Sequence, residues 1–203
     1  GEWSFPVGIS SESDGKNGNP VISASHVGRG KMLGYGHESW ITGGNTNQEL
    51  TFSLQAVEWV CGKEANIGIS YGSGLSHYKE DLENEGHNVQ SSLSLEDLSE
   101  VDCLIDEFWN GHDARDNLLI EEFLISGGGL IMGGHSWYWS YSNDDLSNNY
   151  PGNKIAQTTG LFVSNSIGGN QIDMSNIPHP LNSPKIAIQA LHDDILNIQE
   201  LTD

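Results

Sequence analysis

Short apolar runs alternate with helix-like segments along residues 21–132, and this alternation constrains the fold more than any other feature of the sequence. The segments 49–61, 75–85 and 116–126 are predicted as helices, and each is followed at once by glycine, the usual helix stop. Strands are predicted at 21–25, 31–35, 66–70, 101–107 and 130–132. This order is typical of βαβ units and predicts an α/β fold, a mostly parallel sheet with helices on both faces.

The residues that follow the predicted strands are the candidates for a functional site. Parallel sheets bind ligands beyond the carboxyl ends of their strands. Tryptophan faces and amide donors at such an edge are typical of sites that bind sugar rings, although at least one tryptophan is expected to belong to the core. The candidate ligand-binding residues are His37, Glu38, Trp109, Asn110, His135, Ser136 and Trp137.

The charge balance limits the partners of this chain. Twenty-eight acidic residues stand against eight lysines and arginines, and the net charge is −20. Such a field repels nucleic acid and anionic lipid, so functions on DNA, RNA or a membrane surface are not expected. No apolar run reaches the ~18–20 residues of a membrane span, and no signal peptide is recognisable. The start at Gly1 and the abrupt end at Asp203 predict a piece of a longer protein.

The two cysteines, Cys61 and Cys103, are too few for a disulfide scaffold and lack zinc-finger spacing. Two buried thiols are the favoured interpretation, and a single disulfide is the alternative. The sequence does not decide between them.

Histidine and acidic side chains at the strand ends offer metal-ligand chemistry, with His112 or Asp113 as further candidates beside His135. Neighbouring residues of a strand point to opposite faces, so only one of His37 and Glu38 is expected in a shared site unless the chain turns there. A structural hydrogen bond at the sheet edge is favoured over a metal, and no metal or cofactor is predicted.

The most informative segment is 127–141, in which an apolar strand opened by glycines runs into Gly133-Gly134-His135-Ser136. In α/β hydrolases and amidotransferases a strand of this kind presents a nucleophile at a sharp elbow. His135 occupies the elbow position here, and the residues after Ser136 are too bulky for the G-x-S-x-G pattern. A structural elbow is the favoured interpretation, and a ligand-contacting His135 is the alternative.

Several motifs occur in the same order as in one domain family, over roughly residues 20–165. They are Val27-Gly28-Arg29-Gly30-Lys31, Gly36-His37-Glu38, Val57-Glu58-Trp59-Val60-Cys61, the block from Gly127 to Trp139, and Tyr150-Pro151-Gly152-Asn153-Lys154. With them the sequence resembles the amidotransferase-like N-terminal domain that precedes M60-like (enhancin-type) metallopeptidase modules. Members include the transient-receptor-potential (TRP) channel-associated factors and secreted bacterial mucinase lipoproteins.

The resemblance implies a three-layer flavodoxin-like fold of the class I glutamine amidotransferase-like type. One domain is expected over residues 1–203. Its first part, 1–19, lacks periodicity and is predicted to be irregular. Ser183 and Pro184 are typical of a helix start and predict a C-terminal helix over 183–199.

The catalytic motifs of both enzyme classes are incomplete in this chain. An amidotransferase needs a cysteine nucleophile at the elbow, where His135 stands, and a carboxylate downstream, where Leu181 stands. The peptidase motif H-E-x-x-H is absent, because Ile41 takes the place of the second histidine after His37-Glu38.

We therefore predict a non-catalytic accessory or binding domain of a secreted or surface-attached bacterial protein, supporting a neighbouring M60-like peptidase on glycoprotein substrates. Its expected partners are glycan or glycoprotein and the neighbouring domains of the parent chain, with no nucleic acid and no membrane insertion. One alternative is an independent hydrolase or sugar-modifying enzyme that uses His37, Glu38 and His135. Another is a protein-docking module without a pocket, in which Trp137 and Tyr138 fill the opening at the carboxyl ends of the strands.

Overall fold

The computed structural model describes residues 3–10, 20–43, 46–109, 111–165 and 172–173. The chain divides into two compact units. The first comprises Gly1–Ser4 and Ala24–Ile167, and the second comprises Phe5–Ser23 and Gly168–Asp203. Every described candidate site residue lies in the first unit, while the prediction of one domain over 1–203 stays a prediction.

A mostly parallel sheet forms the centre of the first unit. The strands of the described residues are β1 (Trp3–Ser10), β2 (Pro20–Val27), β3 (Gly30–Tyr35), β4 (Asn66–Ser70), β5 (Asn88–Leu93), β6 (Cys103–Glu107), β7 (Gly129–Gly133) and β8 (Ile172–Asp173). In the first unit the order across the sheet is β5-β4-β6-β7-β3, followed by the part of β2 from Ala24 onward, and all pairings from β5 to β3 are parallel. The α/β prediction with a mostly parallel sheet is therefore confirmed.

Six helices accompany these strands among the described residues: α1 (Asn47–Cys61), α2 (Lys79–Asn84), α3 (Ala114–Ser126), α4 (Ser136–Trp139), α5 (Leu146–Asn149) and α6 (Pro151–Ala156). Short 3-10 turns occupy Glu38–Trp40, Gly74–Tyr78, Leu95–Glu100 and Gln157–Thr159. Within the described residues no helix has the length and apolar character needed to cross a bilayer.

The two faces of the sheet bury different sets of side chains. Met32 and Leu130 are paired in register and belong to a core cluster with Ile120 and Leu124 of α3. Successive strand residues point to opposite faces, so the neighbouring Leu33 and Ile131 lie on the other face. Helix α1 packs on that side, where Val60 approaches Gly129.

Both long helices begin with a capping box. The Thr46 side chain accepts a hydrogen bond from the Glu49 amide, and the Glu49 carboxylate accepts from the Thr46 amide. Asp113 and Asp116 form the same reciprocal pair at the start of α3, which ends at Gly127 in the left-handed conformation. These caps satisfy helix-end amides that the helix itself leaves unpaired.

Several elements differ from the sequence predictions. The predicted helix 75–85 is a 3-10 turn followed by the short α2, and β5 was missed because Asn88–Leu93 is largely polar. Pro151 and Gly152 in sequence are typical of a turn, but Pro151–Ala156 is a helix, since proline suits the first helical position.

The predictions at the two ends of the chain have different outcomes. Residues Trp3–Ser10, expected to be irregular, form strand β1, whose residues Ile9 and Ser10 pair antiparallel with Asp173 and Ile172 of β8. The predicted helix 183–199 and residues 11–19 lie outside the described residues.

Cys61 and Cys103 form a disulfide, with their Cα atoms 5.1 Å apart. The favoured interpretation, two buried thiols, was therefore wrong, and the alternative of a single disulfide is confirmed. Cys61 is the last residue of α1 and Cys103 is the first residue of β6. The bond links the two elements at the amino edge of the parallel sheet.

Candidate functional site

His37 and His135 meet because their strands are neighbours in register. Strand β3 pairs in parallel with β7, and Tyr35 lies opposite Gly133 at the carboxyl edge. Each histidine follows its paired residue by two positions. Their imidazole rings stack with centroids 4.4 Å apart and planes inclined by 15°.

The Glu38 carboxylate lies between these histidines and a tryptophan. Its Oε2 is 2.7 Å from His135 Nδ1 and 3.6 Å from His37 Nδ1. Trp109 Nε1 donates to the same oxygen at 3.4 Å. Glu38 and His37 reach one site because the chain leaves β3 and enters the 3-10 turn Glu38–Trp40, so the strand alternation no longer applies.

Aromatic rings extend this site toward solvent. The Trp109 and Trp137 rings lie 4.8 and 5.3 Å from the His135 ring. The Tyr138 ring contacts both tryptophans and is 58% exposed. Next to it, Tyr141 is 73% exposed. We call His37, Glu38, Trp109, His135, Trp137 and Tyr138 the histidine–aromatic cluster.

Burial and hydrogen bonding set the protonation of the cluster. Burial lowers the pKa of His37, and the Glu38 charge offsets this only in part. Burial alone would raise the pKa of Glu38, but hydrogen bonds from its own backbone and from His135 hold that pKa below its ordinary value. At neutral pH the site therefore presents a neutral imidazole at His37 beside an ionised carboxylate.

Two predicted site residues do not join the cluster. Ser136 is 2% exposed, and its hydroxyl donates to the Ser164 carbonyl, so it fastens the start of α4. Asn110 lies outside the described residues. The other five candidates, His37, Glu38, Trp109, His135 and Trp137, lie together at the carboxyl edge of the sheet. The convergence of His37, Trp109 and His135 agrees with the prediction, whereas only one of His37 and Glu38 was expected there.

A second polar cluster lies farther along the same edge, between β4 and β6. The chain leaves these two neighbouring strands in opposite directions, from β4 to β5 and from β6 to β7. Asp106 is fully buried, and its Oδ2 is 2.7 Å from His112 Nε2. The Ser70 hydroxyl donates to its other oxygen. A cleft of about 500 Å³ opens beside His112 and is lined also by Asp116.

His112 and Asp113, which were expected as possible companions of His135, have other partners. His112 faces Asp106 instead, and Asp113 caps α3. The Asp106–His112 pair was missed because nothing in the strand pattern shows that an aspartate within it is buried beside a histidine six residues later. The position of Asp106 near the carboxyl end of a strand in a doubly wound sheet, with His112 in the loop that follows, was the available signal.

The comparisons with known proteins settle the family. A family model described as "TRPM8, N-terminal domain" (TCAF_N) matches residues 1–178. The chain belongs to this TCAF N-terminal domain family. A TRPM8 channel-associated factor homolog of Xenopus laevis is 34% identical over 183 residues, which are 88% of this chain and 19% of the relative. Human TRPM8 channel-associated factor 1 is 28% identical over 204 residues, with 97% and 20% covered.

Solved structures similar to this TCAF N-terminal domain come from a bacterial protein. IMPa from Pseudomonas aeruginosa in complex with an O-glycopeptide matches with a TM-score of 0.53 and 14% identity, over 78% of this chain and 19% of that one. The IMPa metallopeptidase in complex with T-antigen matches with a TM-score of 0.51 and 16% identity, over 78% and 19%. At these identities the likeness shows a shared fold.

These comparisons confirm part of the predicted resemblance. The link to the TRP channel-associated factors is confirmed at the level of the family, whereas the amidotransferase-like class stays a prediction. The sequence relatives named above are vertebrate proteins, so they give no support to a secreted bacterial parent. The TCAF N-terminal domain described here spans about a fifth of the length of these relatives.

Proposed function

We propose that this chain is a non-catalytic binding domain whose histidine–aromatic cluster binds glycan on glycoprotein. One observation carries the proposal: the exposed Tyr138 ring contacts the His135 imidazole, which is hydrogen-bonded to the partly buried Glu38 carboxylate. The exposed Tyr141 extends this aromatic surface next to Tyr138. Sites of this composition suit sugars, because aromatic faces pack on the apolar side of the ring while polar groups fix its hydroxyls.

The structural neighbours guide the choice of ligand. IMPa has been solved with an O-glycopeptide and with T-antigen, and part of that protein shares the fold of this chain. We extend this to the present chain as a choice of probe, namely an O-glycopeptide that carries the T-antigen sugar. In the parent protein the domain would hold such a glycan while a neighbouring M60-like peptidase module acts on the peptide.

The residues at the elbow support a binding role over catalysis. His135 stands at the elbow where an amidotransferase has cysteine, and the neighbouring Ser136 hydroxyl is engaged with a backbone carbonyl. The alternative, a hydrolase or sugar-modifying enzyme, would use Glu38 and His135 as an acid–base pair, since they are within hydrogen-bond distance.

The finer structural class and the location belong to the same proposal. We assign the sheet to the flavodoxin-like, amidotransferase-like type within one domain, and the strand order β5-β4-β6-β7 supports this assignment. We place the parent protein outside the cell or on its surface. The Cys61–Cys103 disulfide supports that location, because disulfides persist mainly in oxidising compartments.

Calorimetric titration with the O-glycopeptide tests the binding role. We expect binding by the unmodified chain and at least about tenfold weaker binding for Tyr138→Ala and Trp137→Ala, which corresponds to about 1.4 kcal/mol. Tyr71→Ala is the matched control, because Tyr71 is 78% exposed and is not part of the cluster. Absence of binding, or an equal loss in the Tyr71 variant, would contradict the proposal.

An activity assay tests the catalytic alternative. The purified chain is incubated with the glycopeptide, with glutamine and with casein, and products are followed by mass spectrometry. We expect no turnover. Turnover that disappears in His135→Gln, with the thermal midpoint unchanged, would replace the binding role by an enzymatic one.

A channel is the second candidate partner, because the vertebrate relatives are named as TRPM8 channel-associated factors. The exposed tyrosines Tyr138 and Tyr141 are suited to protein contacts as well as to sugars. Capture of purified, deglycosylated TRPM8 by the chain, lost in Tyr138→Ala and kept in Tyr71→Ala, would assign the surface to protein docking. Capture only of the glycosylated channel would support the glycan role.

A further inference from the structure

We propose that His37, Glu38 and His135 form a binding site for a single Zn²⁺ ion. One potential ligand atom from each residue can be chosen so that all three lie within 4.8 Å of one another. Among the described residues, these three are the one set of histidine, cysteine or acidic side chains whose potential ligand atoms come this close together. The proposal stands apart from glycan binding, and its test has a separate readout.

The chemistry of the ligands points to zinc. Two imidazoles and one carboxylate form the ligand set that Zn²⁺ takes in many sites, whereas Ca²⁺ and Mg²⁺ prefer oxygen ligands throughout. Zinc bonds of about 2.0–2.2 Å place tetrahedral ligand atoms about 3.3–3.5 Å apart. Atoms that are now up to 4.8 Å apart would have to approach each other by up to about 1.5 Å, a movement within the reach of side-chain torsions.

The backbone holds the two imidazoles together without a metal. Strands β3 and β7 are paired in register up to Tyr35 and Gly133, and the stacked rings follow directly. Gly133 is needed there, because a Cβ would lie 3.1 Å from the Glu38 Cα atom. The two histidines are therefore close together before an ion binds, and their rings need only rotate out of the stack for a nitrogen of each to face one ion.

The surroundings supply an orienting donor and an open side. Trp109 Nε1 donates to the Glu38 carboxylate, which is the kind of outer contact that fixes a metal ligand. The side chains of His37, Glu38 and His135 are 36%, 23% and 17% exposed, so an ion can enter from solvent. Three protein ligands with an exposed side leave one position for water or for a ligand oxygen.

Zinc titration of the tag-free chain, stripped with chelator, tests the site. We expect one equivalent of Zn²⁺ to bind in competition calorimetry, and one Co²⁺ to give the intense visible bands of tetrahedral coordination. His37→Ala and His135→Ala should each weaken zinc binding by at least about tenfold, and Trp109→Phe should weaken it while keeping one equivalent. His77→Ala and His112→Ala are the control variants and should bind as the unmodified chain does.

NMR of the unmodified chain provides a second test of the zinc site. In the unmodified chain, zinc should shift the imidazole NMR signals of His37 and His135 and leave those of His77 and His112 in place. Absence of binding, one equivalent retained by the double variant His37→Ala/His135→Ala, or loss only in His112→Ala would overturn the proposal. Zinc binding without glycopeptide binding would uphold the zinc site and remove the glycan role. Glycopeptide binding without zinc binding would uphold the glycan role and remove the zinc site.

Discussion

Gly152 has no room for a side chain, because it lies against the ring of Phe108. A Cβ atom at this position would be 2.5 Å from three atoms of that side chain. Phe108 is 1% exposed and cannot move outward without opening the core. We expect Gly152→Ala to lower the free energy of unfolding by roughly 1–3 kcal/mol in urea denaturation.

Gly111→Ala is the matched control for this prediction. Gly111 is exposed, and a Cβ built on it meets no atom within 4 Å. The unfolding free energy of the Gly111→Ala variant should stay within about 0.5 kcal/mol of that of the unmodified chain. Equal losses in both variants would mean that the Phe108 contact does not matter.

His112 should make stability depend on pH. Burial alone would lower the pKa of His112, but the hydrogen bond with Asp106 and the charges of Asp106, Asp116 and Asp113 raise it. Because the folded pKa lies above the unfolded value, this contribution is fully present below about pH 6.5 and is lost as the pH rises through the folded pKa. We expect His112→Gln to destabilise the chain more at pH 5.5 than at pH 8.5, as measured by urea denaturation.

The exposed His77 provides the comparison for this pH profile. Its Nδ1 lies 3.0 Å from the Gly74 carbonyl oxygen, with no ion pair to a carboxylate among the described residues. His77→Gln should cost less unfolding free energy at pH 5.5 than His112→Gln, because the His77 side chain is exposed whereas His112 contacts the buried Asp106. A loss for His112→Gln that is larger at pH 8.5 would contradict the assigned direction of the pKa.

At the scale of elements, the Asp113 cap is expected to stabilise the first turn of α3. Asp113 Oδ1 accepts from the Arg115 and Asp116 amides at 2.7 and 2.9 Å. Asp113→Ala should lower the unfolding free energy by about 1 kcal/mol, the usual cost of losing an aspartate cap. Asp144→Ala, an exposed loop aspartate, should have little effect in the same denaturation series. Equal effects would contradict the role of the cap.

Elements with strong apolar periodicity or glycine stops were predictable from the sequence. Strands β4 and β7 and helices α1 and α3 lie within a few residues of their predicted bounds. Strand β5 was not, because only Val89 and Leu93 of its six residues are buried and the pattern resembles a loop. Its strand conformation depends on pairing with β4, a tertiary contact that local sequence does not report.

The site was predictable in composition and only partly in geometry. The rule that ligands bind at strand ends selected His37, Trp109 and His135, which the paired strands β3 and β7 and the neighbouring β6 bring together. The joint position of His37 and Glu38 required the 3-10 turn after β3, which the sequence did not indicate. Tyr138 was expected only to fill the opening of the site, although its position three residues after His135 can be read from the sequence.

For the whole molecule, the Cys61–Cys103 disulfide is expected to be a major stabilising term. The two cysteines are 42 residues apart. In the entropic model, closing a loop of that size raises the free energy of the unfolded chain by about 4 kcal/mol. We expect the double variant Cys61→Ala/Cys103→Ala to lose stability of this order in urea denaturation. Reductant should destabilise the unmodified chain in the same way and leave the double variant unaffected. Insensitivity of the unmodified chain to reductant would contradict the prediction.

The ring contacts around the cluster make the protein its own optical reporter. Of the six tryptophans in the chain, Trp40, Trp109 and Trp137 have ring contacts with His37 or His135. Indole emission responds to the charge, solvation and motion of its immediate neighbours, so occupancy of the cluster should be readable from intrinsic fluorescence without a dye or a tag. Trp59, which contacts His26, belongs to the background, and Trp59→Phe would sharpen the signal without altering the cluster.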